Sequence, residues 1–239
     1  GDVLAGLDLL YPPSDLSQRN QISRADGYWP FIKDGEEPPM EFTYGEFDLP
    51  FFAELLDKAC VLHGGTDLAG KTFCDIGSGT GRLVIAAAAL HPSMRMSKGV
   101  EYLASCHDYA VGLARSCMGP DEGKAALKIS DQHKLPLARI GLLNGSIDNP
   151  NVHIHDVNIA FVYSSAMPAD VLEMVSNAVG LQCQSGTIVI TTDYQIPTEG
   201  TVSDQNGQTT NYRFELLQSL DGYCWVSGGT STAYFYRLV

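Results

Sequence analysis

Phe73-Cys74-Asp75-Ile76-Gly77-Ser78-Gly79-Thr80-Gly81 carries the strongest structural signal in the chain. Lys71 to Ile76 is a short apolar run with the composition of a buried strand. Leu83 to Leu90 is alanine-rich and continues as a helix. Strand, glycine turn and helix in that order open a βαβ unit. The glycines serve two ends. They let the chain turn sharply, and they leave bare backbone for a ligand to approach. The amides of the following helix then face that ligand. The spacing is G-x-G-x-G, whereas a dinucleotide site wants its third glycine at position 82. Arg82 stands there, so the NAD fingerprint fails by one residue.

On the N-terminal side, Phe51, Phe52, Leu55, Leu56, Ala59 and Cys60 form one helical face, with Asp48 or a neighbour as cap and Pro50 in the first turn. After the loop, Ser97–Glu101 is a second strand whose terminal carboxylate is suited to a ribose diol. Tyr102 to Cys117 is its helix, broken by Met118-Gly119-Pro120. Strands are expected at Ile140–Asn144, Val157–Tyr163 and Thr187–Thr192, with an amphipathic helix over Ala169–Val179. Pro197 to Asn211 is polar and predicts a loop. Tyr212–Leu217, Tyr223–Val226 and Thr232–Leu238 then follow as strands without helices, with a hairpin turn at Gly228-Gly229. The expected fold is α/β and Rossmann-like: a mostly parallel seven-strand sheet with an antiparallel C-terminal hairpin and a short N-terminal arm. The arm covers residues 1–42 and the main domain 43–239. Tyr11-Pro12-Pro13 and Glu36-Glu37-Pro38-Pro39 predict extended or turn structure in the arm, anchored by Tyr28-Trp29-Pro30-Phe31.

Composition bounds the partners. The 28 acidic and 15 basic residues leave a net charge of −13, which opposes binding to a phosphate backbone. An acidic enzyme sooner meets cationic targets or neutral metabolites. The longest apolar stretch falls far short of the roughly 20 residues that span a bilayer, so no membrane partner is expected. No basic segment followed by an apolar one opens the chain. The six cysteines lack C-x-x-C pairs, which predicts buried thiols in a reducing, intracellular compartment, cytoplasmic or nuclear. His153 and His155 alternate without an evident third ligand, and no metal is expected.

The motifs resemble those of class I S-adenosylmethionine-dependent methyltransferases, and more narrowly the Dot1-type histone lysine methyltransferases. Thr43-Tyr44-Gly45-Glu46 is similar to that family's Tyr-Gly-Glu segment. Asp75 to Gly81 resembles its Asp-Leu-Gly-Ser-Gly-x-Gly loop, and Gly99-Val100-Glu101 its Gly-x-Glu. Trp225 and Ala233-Tyr234-Phe235-Tyr236 resemble its Ser-x-Trp and paired-tyrosine hairpin. The resemblance implies S-adenosylmethionine as cofactor and S-adenosylhomocysteine as product. It implies a cofactor site of Thr43, Tyr44, Gly45, Glu46, Asp75, Gly77, Ser78, Gly79, Arg82 and Glu101, with Ser146 and Ile147 after strand three. Tyr163, Trp225 and Tyr234 are candidates for an aromatic channel that would favour a neutral lysine amine.

The sequence also departs from the family. Tyr163-Ser164-Ser165-Ala166-Met167 stands where the family has Asn-Asn-Phe, and Gly145-Ser146-Ile147 where it has Gly-Asp-Phe. Phe47 replaces a threonine, and the basic extension is absent. The cofactor therefore transfers more readily than a histone target. The expected activity is N-methylation of a lysine in a protein substrate. A small-molecule acceptor, or a cofactor-binding module without turnover, are the alternatives.

Overall fold

A computed structural model describes residues 1–118, 125–224 and 228–239. The glycine-loop strand is β1 (Thr72–Ile76), flanked by β2 (Met96–Glu101) and β6 (Ile159–Val162). With β5 (Ile140–Asn144), β7 (Ile188–Thr192), β8 (Glu199–Ser203), β9 (Thr209–Cys224) and β10 (Gly229–Leu238) it forms one eight-stranded sheet. The order is β5-β2-β1-β6-β7-β10-β9-β8. The first five are parallel, and β10, β9 and β8 run as antiparallel neighbours. A separate two-stranded ribbon, β3 (Ala126–Lys128) and β4 (Lys134–Pro136), was not expected.

The core has two layers because strand side chains alternate. Phe73, Ile159, Phe161, Ile190 and Phe235 face one layer with α4 (Leu49–Leu62) and α5 (Arg82–Leu90). Cys74, Ala160, Val162, Val189 and Tyr236 face the other with α7 (Ala169–Gln182). α6 (Ala104–Ser116) completes the helices of the main domain. The Asp48 carboxylate accepts from the Phe51 amide at 2.9 Å, the expected cap of α4, worth about 1 kcal/mol. The Gly119-Pro120 break after α6 lies outside the described residues.

Three expectations are corrected. The segment expected as loop, residues 197–211, contains β8 and the start of β9. Its polar residues alternate with inward ones, and Val202 packs on the second layer. A half-exposed edge strand does not need an apolar sequence. The strands expected at 212–217 and 223–226 are one sixteen-residue strand, β9, paired along β10. Its polar middle points outward, and Gly222 leaves room for Phe51, whose ring would lie 2.2 Å from an added Cβ. Val226 lies outside the described residues.

The third correction concerns the arm. It is helical: α1 (Asp2–Leu10), α2 (Leu16–Gly27) and α3 (Trp29–Asp34). Pro13 and Pro30 sit in first turns, where a missing amide costs nothing. Trp29 is exposed; the buried anchors are Leu7, Tyr11 and Arg19. Residues 36–39 are non-helical, as their prolines require. All six cysteines are described, none is joined in a disulfide, and five are buried, with Cys183 half-buried. Among the described residues no helix is long and apolar enough to cross a membrane.

Candidate active site

The carboxyl ends of the parallel strands open into a cavity of about 710 Å³. The glycine loop forms its floor. Gly77, Gly79 and Gly81 have φ of 82°, 52° and 79°, the left-handed region that other residues avoid. The amides of Gly77 and Ser78 donate to the Val100 carbonyl at 2.9 and 3.0 Å, tying the loop to β2. The Tyr44 ring packs 3.4 Å from where a Cβ on Gly79 would stand. The turn's positive φ demands glycine, and the Tyr44 ring would meet a Cβ there at ordinary contact distance.

Glu101 closes β2 and lines the cavity. Its Oε2 accepts from the Gly79 amide at 2.7 Å and its Oε1 from the Leu103 amide at 2.8 Å. Burial raises its pKa, against which those amides work. Thr43, Tyr44, Gly45, Gly77, Gly79, Ser146 and Ile147 line the same cavity. Glu46, Asp75, Ser78 and Arg82 instead line a small adjoining recess of about 40 Å³.

In that recess Glu46 is the hub of a clamp. Arg19, only 1% exposed, donates through Nε to Glu46 Oε1 at 2.5 Å and through a terminal nitrogen to Oε2 at 3.2 Å. Arg82 Nε lies 3.7 Å from Oε2. The Tyr44 hydroxyl donates to Glu46 Oε1 at 2.7 Å and lies 2.8 Å from Thr80 Oγ1. Tyr11 donates to the Thr80 carbonyl at 2.8 Å. The arm, the segment before α4 and the glycine loop are thus joined through one buried carboxylate.

Asp75 is 3% exposed. Burial first, and then the charge of Glu101, push its carboxyl up to about 8. An unfolded aspartate titrates near about 3.9. Between those values the folded chain holds a proton that the unfolded chain releases. Asp75 therefore contributes stability that is full below about pH 4 and lost as pH rises through about 8. Chemical denaturation across that range is expected to show stability declining with pH, with a shallower decline in Asp75→Asn. An unchanged slope in that variant would refute the assignment.

Of the channel candidates, Tyr163 lines the cavity, against Phe47 at a ring separation of 5.1 Å. Tyr234 pairs with Thr191 across β10 and β7 and packs on the second core layer, outside the cavity lining. Trp225 lies outside the described residues. Sequence reasoning did not single out Phe42, Tyr102, Asp193 and Tyr194, which line the cavity. Phe42 stacks on Tyr102 at 5.4 Å. Tyr102 and Asp193 each directly follow a parallel strand, at the sheet edge where ligands bind. That placement was the available signal. His153 and His155 have rings 6.1 Å apart, and no group of three metal-binding side chains occurs among the described residues.

The strand order and the position of the cavity are those of the class I methyltransferase fold. The rRNA methyltransferase aviRa from Streptomyces viridochromogenes is similar at a TM-score of 0.54 and 12% identity, over 81% of this chain and 86% of that one. An S-adenosylmethionine-dependent methyltransferase from Clostridium acetobutylicum is similar at 0.50 and 13% identity, over 80% and 92%. No curated protein matches the chain by sequence. The model of the family described as histone methylation protein DOT1 matches residues 37–121, which span Tyr44-Gly45-Glu46, the glycine loop and Glu101. The chain is an S-adenosylmethionine-dependent methyltransferase, similar to the DOT1 family over residues 37–121.

Proposed function

We propose that the protein N-methylates a lysine side chain of a protein substrate. The observation that carries this reading is the charge of the cavity. Its described lining includes the carboxylates Glu41, Glu101 and Asp193 and the rings of Tyr44, Tyr102, Tyr163 and Tyr194, without one lysine, arginine or histidine. Carboxylates and aromatic faces attract a cationic or amine-bearing acceptor. The same lining, with a net charge of −13, opposes a phosphate backbone. The match to the DOT1 model supports a protein acceptor over a free metabolite.

The cavity fits the cofactor in chemistry as well as size. Bare glycine backbone, a strand-end carboxylate and the apolar walls of Phe42 and Ile147 suit an amino acid, a ribose and an adenine in turn. In this reading Gly77 and Gly79 bound the methionine end, Glu101 accepts from the ribose, and Ser146 and Ile147 flank the base. Bound S-adenosylmethionine supplies an electrophilic methyl group on a sulfonium. The protein has to hold the acceptor nitrogen in line and in its neutral form, since a free lysine titrates near about 10.4. Desolvation beside Tyr163 favours the neutral amine. Glu46, Asp75, Ser78 and Arg82 support the loop from behind, and the arm, residues 1–42, braces the catalytic domain, residues 43–239, through Arg19.

Methyl-labelled S-adenosylmethionine, incubated with the protein and a cell lysate, tests the reading. Label is expected in the protein fraction and, after acid hydrolysis, as Nε-methyllysine. Label confined to nucleic acid or to small metabolites would overturn it.

A further inference from the structure

We propose that Asp193, acting through Ser165, is the group that receives and orients the acceptor amine. This rests on the reading of the acceptor as an amine. Asp193 follows β7 and Ser165 follows β6, so the two meet at the carboxyl edge of adjacent central strands. Both line the cavity, beside Tyr163 and Tyr194.

Asp193 is held in an unusual way. It is the only residue other than glycine with positive φ, 64°, among the described residues. Aspartate tolerates that region better than most side chains, but strain of this kind persists only where the surroundings impose it. Here they do. The Asp193 amide donates to the Thr232 carbonyl at 2.7 Å. Its Oδ1 accepts from Ser231 Oγ at 2.8 Å and from the Thr232 amide at 3.1 Å. Its Oδ2 accepts a short hydrogen bond from Ser165 Oγ.

The consequence lies at Ser165. Its only hydroxyl proton is committed to Asp193 and the Tyr163 hydroxyl shares the same oxygen, so one acceptor position remains on it. An acceptor-only oxygen backed by a carboxylate is matched to an N–H donor. Among the described residues no lysine, arginine or histidine forms an ion pair with Asp193. Its partners are hydroxyls and an amide, and none of them carries a positive charge.

Sinefungin provides the probe. It is the cofactor analogue in which an amine-bearing carbon replaces the methyl-bearing sulfonium, so its extra amine takes the place of the transferable methyl and faces the groups that hold the acceptor. S-adenosylhomocysteine lacks that amine and is the internal control. Calorimetry should show the preference for sinefungin over S-adenosylhomocysteine falling about tenfold in Asp193→Asn, the size of one charge-assisted hydrogen bond. Ser165→Ala keeps the backbone at 193 intact and should lower the same ratio if Asp193→Asn fails to fold. A ratio unchanged within twofold, or both ligands weakening in step, would overturn the proposal. The label experiment above fails separately, through the chemical identity of the methylated product.

Discussion

Glu46→Ala is expected to cost about 3–5 kcal/mol of stability, because it strands Arg19 as an unpaired cation in the interior. For a chain of this size that corresponds to a melting temperature lower by roughly 6–20 °C. The loss should be disproportionate to the contact removed. Most of it is the cost of burying a guanidinium without its partner, not the worth of the ion pair. Arg19→Met with Glu46→Leu should therefore recover most of the stability, since it removes both charges and refills the space. Recovery should be incomplete, because Tyr44 also loses an acceptor and keeps only Thr80. Calorimetric melting of the single and double variants checks this. If Glu46→Ala melts like the parent protein, the clamp is not what joins the arm to the glycine loop.

Glu101→Ala is expected to weaken S-adenosylhomocysteine binding by roughly 10- to 100-fold, the range for one or two hydrogen bonds to a charged group. The carboxylate is already held at 2.7 and 2.8 Å by the Gly79 and Leu103 amides. It thus costs little further ordering when a ribose arrives. Glu101→Gln retains one oxygen acceptor and should fall between the two. Titration calorimetry on the three proteins reads this directly. An affinity unchanged in Glu101→Ala would remove this residue from the cofactor site.

These two residues also mark how far the sequence could be read. The place of Glu101 in the cavity was legible because it follows from local order: a strand, its carboxyl end, and an acid there. The strand–glycine–helix unit, the capped α4 and the paired C-terminal strands are of the same kind. Each is specified by side-chain periodicity or by a backbone conformation that few residues tolerate. Glu46 was legible as a site residue through the resemblance, but its partner was not. Nothing near Arg19 in the chain announces that its guanidinium will be buried, and polar α2 offers only a weak amphipathic pattern. Tyr11-Pro12-Pro13 predicts extended or turn structure and gives no sign of the helices on either side of it.

The glycine loop, the parallel half of the sheet and the class of chemistry were therefore legible in the sequence, because these depend on contiguous residues. Tertiary structure alone decided the rest. It turned a polar stretch into the edge strand β8, brought Arg19 across 27 positions to Glu46, and set Asp193 beside Ser165 from a neighbouring strand. Contacts between segments distant in the chain are set by strand order and helix packing. Local periodicity records which face of a segment is buried, and carries no information about what it is buried against.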